Sequence, residues 1–400
     1  MPEKFIARQP IFGSDMKVFA YELLFRTSPE NRAEPNPYAS QSVIVDSMMV
    51  FDLERLIGPA KAFVNVDEKA LRSEAAKLLD PRRVVLEVLE HVNPTAEVIE
   101  SCRELRRRGY ELAIDDFVGG DKWDGLLPLV HFLKVDYREC GEMTQQAIAK
   151  RYLPQGIELL AEKVETETEV ERSKRLGYTY FQGYFFCKPT MLTDHDIPAE
   201  KTVCVRILKE AAAAELNIGR VEELMSLDPS LTYKLLRYLN SPLLGRSGEV
   251  RDIPRAVRLL GEMEFRRWIS IVAVVSLATG KPIELARTAV MRGYFCEQVA
   301  EASGRAAEAS ELFLMGLLSV ADALLDRPME RVLEDLPVSK DMAAALLGGE
   351  NEFRRVLDLM LAYECGTWNS VAKAARRASV KEAALPECYL RASEKASMLV

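Results

Sequence analysis

Eight short apolar or alternating runs punctuate the first half of the chain: FIARQPIF, VFAYELLF, KAFVNV, RRVVLEVLE, YELAIDDF, HFLKVD, IELLAEKVE and YTYFQGYFF. Helical patterns such as PTAEVIESCRELRRRG (94–109) and TETEVERSKRLG (166–177) fall between them. Parallel strands need crossover connections, usually helices, so this alternation predicts a βα barrel of eight strands. The first two runs are separated only by GSDMK. That linker is too short for a helical crossover, and an antiparallel start to the barrel follows. Some 195 residues are few for such a barrel, typically about 250, so several helices should be short or missing.

After LTDHDIPAE (192–200) the strand alternation stops and long helical stretches rich in alanine and leucine take over. The chain therefore divides into a barrel over 1–195 and an all-α domain over 200–400. Expected helices include one opening at Asp228-Pro229 with Asp228 as N-cap, and continuous stretches over 255–278, 284–303 and 311–325. The longest uncharged apolar run, Trp268 to Thr279, falls well short of the roughly 20 residues that span a bilayer. The N-terminus MPEKFIARQP lacks a signal-peptide pattern, so a cytoplasmic protein without a membrane segment is expected.

Charge and histidine narrow the chemistry. Residues 1–200 hold 26 Lys and Arg against 34 Asp and Glu, and residues 201–400 hold 27 of each. Neither half has the basic excess that grips a nucleic-acid backbone. The basic run RELRRRG (103–109) reads as a solvated helix C-terminus favoured by the macrodipole. The three histidines are His91, His131 and His195, so the second half can build neither a histidine metal cluster nor a Ser-His-Asp triad. Seven scattered cysteines without a CxxC spacing argue against both a disulfide framework and a thiolate metal site.

In a βα barrel the reactive groups sit at the C-terminal ends of the strands. Along the predicted strands those positions read Glu22, Asn65, Glu87, Asp115 with Asp116, Lys134, Glu162 and Gln182. Carboxylates and an amide, with no His or Cys, are the hard-oxygen ligands that suit Mg²⁺ or Mn²⁺ rather than Zn²⁺. Two such ions would suit phosphodiester hydrolysis. Individually, acidic residues at strand ends are more often exposed loop groups or helix caps. A glycosidase using two carboxylates is the unrelated alternative, and it leaves Lys134, Asn65 and Arg26 without a role.

Over roughly residues 4–190 the sequence resembles the EAL-domain phosphodiesterases, which bind and hydrolyse cyclic di-GMP. The resemblance is carried by Gln9-Pro10-Ile11, Glu22-Leu23-Leu24-Phe25-Arg26, Asn65, Glu87 with Glu90, Asp115-Asp116-Phe117 and Lys134 with Asp136. It continues through Ala161-Glu162-Lys163-Val164-Glu165-Thr166 and Gln182-Gly183-Tyr184 to Lys188-Pro189. It implies a metal site of Glu22, Asn65, Glu87, Asp115, Asp116 and Glu162 holding two Mg²⁺ or Mn²⁺ ions, with Lys134 and Glu162 catalytic. Gln9, Arg26 and Gln182 would contact the nucleotide, Arg26 through a phosphate, and Glu90, Asp136 and Glu165 would lie behind the ligands. The product would be linear pGpG. The chain departs from the family at Val118-Gly119-Gly120-Asp121, where a Gly-Thr-Gly loop is usual, and at Lys163, where glycine is usual. A catalytically weak or inactive cyclic di-GMP sensor relaying to a protein partner is the alternative implied by those departures, and a degenerate barrel that only docks proteins is a third.

The helical half resembles the HDOD domain, a relative of HD hydrolases that lacks their metal ligands. The matching stretches are DPSLTYKLLRYLNSP (228–242), IPRAVRLLGEMEFRRW (253–268) and FLMGLLSVADALL (313–325). Where an HD enzyme would place His-Asp after GLL, this chain continues Ser319-Val320-Ala321-Asp322. The resemblance implies a non-catalytic regulatory module that engages a protein partner, and it is compatible with a homodimer.

Overall fold

The structure is a computed structural model, and it describes residues 5–26, 53–73, 76–188, 199–228, 230–233 and 253–400. Eight strands close a barrel in chain order: β1 (Phe5–Gly13), β2 (Val18–Arg26), β3 (Lys61–Val66), β4 (Val84–Val88), β5 (Glu111–Ile114), β6 (Phe132–Asp136), β7 (Glu158–Glu162) and β8 (Tyr180–Gln182). Six fall inside the runs read from the sequence, and β1 and β2 each extend theirs by one residue. As the GSDMK linker requires, β1 runs antiparallel to β2, and it is antiparallel to β8 as well; the other neighbours are parallel.

Among the described residues several crossover elements are short. Helices over Leu53–Ile57 and Glu68–Arg72 have five residues each, and the β5–β6 connection contains only the single 3₁₀ turn Leu127–Leu129. The full-length crossover helices carry strong local signals. Ala96–Arg107 is N-capped by Thr95 and ends in the basic run, placing Arg106 and Arg107 in its last turn. Glu167–Leu176 opens with a reciprocal capping box between Thr166 and Glu169 and stops at Gly177.

Inside the barrel, one apolar layer is formed by Ile11, Ala20, Phe63, Val85, Ala113, Phe132 and Leu160, with Phe19 and Tyr180 packed against it. The Phe63 and Phe132 rings lie 5.3 Å apart and Phe132 lies 5.7 Å from Tyr180. Successive side chains alternate between the two faces of a strand, so the residue two places further along again points inward. That step leads from Ala20 to Glu22, Phe63 to Asn65, Val85 to Glu87, Ala113 to Asp115, Phe132 to Lys134, Leu160 to Glu162 and Tyr180 to Gln182. The apolar layer is therefore the floor of a polar chamber.

The barrel closes through a short seam, because β1 pairs with β8 only over Ile11–Gly13. Upstream, the Arg8 amide donates to the Tyr389 hydroxyl at 3.1 Å, and the Phe5 ring lies 6.0 Å from that of Trp368. The compact unit containing the barrel accordingly takes in Leu361–Arg377 and Lys381–Ser397, whereas the sequence division assigns everything from 200 onward to the helical domain. The physical reason is the half-open edge of β1, whose unpaired amides need partners that the barrel's own strands do not supply.

The other unit is helical among its described residues, with Ala199–Ala212, Ile218–Ser226 and Ile283–Ala302 as examples. Two predicted continuous helices are broken. The stretch over 255–278 divides into Ile253–Leu260 and Glu262–Leu277 at Gly261, which adopts φ +81°. The stretch over 311–325 divides into Ala309–Leu318 and Ala321–Leu325 at Ser319 and Val320, whose Ser319 hydroxyl bonds back to the Gly316 carbonyl at 2.7 Å. Asp228 accepts the Ser230 amide at 2.9 Å, as a cap would, but most of the helix predicted to follow lies outside the described residues. Among the described residues no helix is long and apolar enough to cross a membrane.

If Tyr389 completes the β1 edge, Tyr389→Phe leaves the buried Arg8 amide without its acceptor and should cost about 1–3 kcal/mol in urea unfolding. A fragment ending at residue 198 should be less stable still. Unchanged midpoints for both proteins would refute this role for the C-terminal helices.

Candidate metal centre

The chamber above the apolar floor is organised around one ammonium group. Lys134, only 1% exposed, lies 3.1 Å from Glu22 Oε2, 3.1 Å from Asp115 Oδ1 and 2.8 Å from Glu162 Oε1, and also pairs with Glu87. Glu22 is further fixed by donors from the Asn65 amide (3.2 Å) and the Gln182 amide (2.7 Å); Gln182 also reaches Gln9 Oε1 at 3.1 Å. Strand ends far apart in sequence thus deliver Gln9, Glu22, Asn65, Glu87, Asp115, Lys134, Glu162 and Gln182 to one place.

Four carboxylates around a single cation leave a negative surplus where water is scarce. Burial pushes Glu87 well above the usual carboxylate range, with Lys134 opposing it and the neighbouring acids reinforcing it. Burial likewise pushes Glu162 up to about 8 against the pull of Lys134. Asp115 resolves the other way: burial raises it, but Lys134 and hydrogen bonds to Glu87 and Lys134 bring it below its ordinary value. Burial disfavours the charged form of Lys134, yet the four surrounding carboxylates raise it well above an ordinary lysine, so it is a fixed cation.

Several buried acceptors here lack a donor among the described residues: Glu87 Oε2, Glu162 Oε2, Asn65 Oδ1 and Gln182 Oε1. Buried polar atoms are normally paired, and unpaired oxygens beside surplus negative charge are the complement of a hard cation. Carboxylate oxygens of Glu22, Glu87 and Glu162 lie within 4.8 Å of one another, as do those of Glu90, Asp115 and Asp116. The residues present therefore fit one or two divalent ions.

The remaining predicted positions separate. Glu90, expected behind the ligands, instead falls within the second acidic group. Asp136 is buried and accepts the Arg138 and Glu139 amides, which suits a supporting role. Glu165 is turned away and ion-pairs with Lys188 at 2.7 Å and with Arg138. Arg26 ends β2 with its backbone opposite Phe5, while its side chain lies outside the described residues, as does Pro189. At the β8 end, Gly183 adopts φ +149°, and a Cβ there would stand 2.0 Å from the Val164 carbonyl oxygen, so only glycine lets this strand end close on β7. Lys163 is the participant that strand-end counting passed over: it pairs with Asp116 at 3.3 Å and with Asp136. Its signal in the sequence was the departure from glycine.

Comparison with known proteins gives the family. The EAL domain family matches residues 68–189 and the HDOD domain family residues 197–334. A Bacillus subtilis protein, YuxH, described as uncharacterized, is 33% identical over 98% of this chain and 97% of its own length. The chain belongs to the EAL–HDOD family. A second relative within reach of this EAL–HDOD chain is the cyclic di-GMP phosphodiesterase CdgJ of Vibrio cholerae, 33% identical over 92% of this chain and 86% of its own length. Among solved structures, the manganese and cyclic di-GMP complex of BlrP1 from Klebsiella pneumoniae is 24% identical, with a TM-score of 0.40, over 46% of this chain and 55% of its own.

The cluster makes a direct stability prediction. Lys134→Met strands four carboxylates without their cation, and breaking a buried ion pair from one side costs about 3–5 kcal/mol. In metal-free buffer the variant should unfold earlier by that margin, and Mn²⁺ should restore more stability to it than to wild type. Equal stability of the two proteins in metal-free buffer would contradict the arrangement.

Proposed function

We propose that the barrel is a phosphodiesterase, dependent on Mg²⁺ or Mn²⁺, that opens cyclic di-GMP to linear pGpG. The observation that carries this reading is the set of unpaired buried oxygens beside Lys134 at the strand ends. Family membership and the relative CdgJ supply the substrate. Glu22, Asn65, Glu87 and Glu162 would hold one ion and Asp115, Asp116 and Glu90 the other. Bound divalent ions supply a lowered pKa for the attacking water and offset charge on the phosphate oxygens.

This chain's own residues do the rest. Lys134, enclosed by the carboxylates of the site, acts as a donor that orients the attacking oxygen and stabilises negative charge. Glu162, with Oε1 on Lys134 and an unpaired Oε2, would hold the ion and so fix the place of the attacking water. Gln182 and Gln9 form an amide pair at the chamber edge that suits the nucleotide's polar groups. Arg26 is assigned the phosphate on the strength of the family resemblance.

The helical half is proposed as a regulatory module that engages a protein partner. Residues 201–400 contain no histidine, and Asp322 spends one carboxylate oxygen on the Ala323 amide at 2.8 Å. That leaves no ligand set for HD-type hydrolysis.

The test is to incubate the purified protein with cyclic di-GMP and either cation and follow the linear product together with binding. Wild type should turn over, and Glu87→Gln or Lys134→Ala should lower the rate by about 10²-fold or more. Binding without turnover under both cations would replace the enzyme reading with that of a sensor.

A further inference from the structure

Lys163 stands where the backbone penalises it. It follows the last residue of β7 with φ +55°, the left-handed region that favours glycine, and Asp116, after β5, is also left-handed at φ +41°. Its ammonium pairs with Asp136, which is anchored by the Arg138 amide and the Glu139 amide at 3.1 Å, and it reaches Asp116 Oδ1 at 3.3 Å. One end of the lysine is thus moored to a buried carboxylate on β6, and the other contact is with a member of the second acidic group, Glu90, Asp115 and Asp116.

We propose that Lys163 is a positioning residue that occupies Asp116 as a built-in cation and thereby weakens binding of a second divalent ion relative to the first. The inference rests on reading the strand ends as a two-ion site. Asp116 cannot give its full charge to an incoming ion while Lys163 holds it, and the ammonium's own charge repels that ion across a short distance. Lys134 pairs with Glu22, Glu87 and Glu162 and also with Asp115, whereas Lys163 pairs directly with Asp116 and Asp136, so a change at Lys163 should act mainly on the second ion. Occupancy of the second position would then depend on the prevailing ion concentration, making this lysine a determinant of the metal requirement.

The experiment is calorimetric titration of Mn²⁺ into the full-length protein, comparing wild type, Lys163→Met and Lys163→Arg. Methionine is as disfavoured in the left-handed region as lysine, so this variant removes charge without relaxing the backbone; Lys163→Gly, which does relax it, serves if the methionine variant fails to fold. The weaker Mn²⁺ affinity should tighten about tenfold in the uncharged variant, the scale typical of groups behind metal ligands, while the arginine variant stays near wild type. A weaker affinity unchanged by loss of the charge, with only the melting temperature lowered, would overturn the role of Lys163 and leave the two-ion reading standing. No Mn²⁺ binding by wild type would overturn the two-ion reading and this inference with it.

Discussion

The chemistry of this protein depends on a buried ammonium enclosed by four carboxylates. Desolvating these groups is expensive, and one cation cannot balance four acids. The barrel holds the cluster together because each member is projected from a different strand, with a rigid apolar layer one inward step below. The surplus charge and unpaired oxygens that make the metal-free cluster costly are the same features that give a divalent ion something to bind. Stability and function are in tension there, as expected of a site prepared for a ligand.

The strand ends also divide labour through their immediate neighbours. Lys134 pairs with the buried group and with Asp115, and Lys163 is tied to Asp136 and Asp116 on its rim. Two lysines among the acids give the two halves of the site different electrostatic settings. A cleft made only of carboxylates would not distinguish them.

Much of this was legible in the sequence because a strand's period is two. Phe63-x-Asn65, Val85-x-Glu87, Phe132-x-Lys134 and Leu160-x-Glu162 all read as an apolar inward residue followed by a polar inward residue, so locating the strands located the polar chamber. The GSDMK linker likewise dictated the antiparallel start. What local patterns could not show were relations between distant segments. The return of Tyr389 and Trp368 to β1 depends on an open edge that exists only once the barrel closes. The helix break at Gly261 was hidden because the apolar periodicity runs on through it, and Glu165 was carried along by its neighbours although its charge is satisfied by Arg138 and Lys188. Glu90 gained importance only when the loops after β4 and β5 were placed together.

The most direct test of the central claim is anomalous diffraction from crystals soaked in Mn²⁺. The account predicts an anomalous peak within bonding distance of carboxylate oxygens from Glu22, Glu87 and Glu162, with Lys134 drawn away from at least one of them. Crystals saturated with Mn²⁺ that show no peak in the chamber, and Lys134 still paired with all four carboxylates, would contradict it.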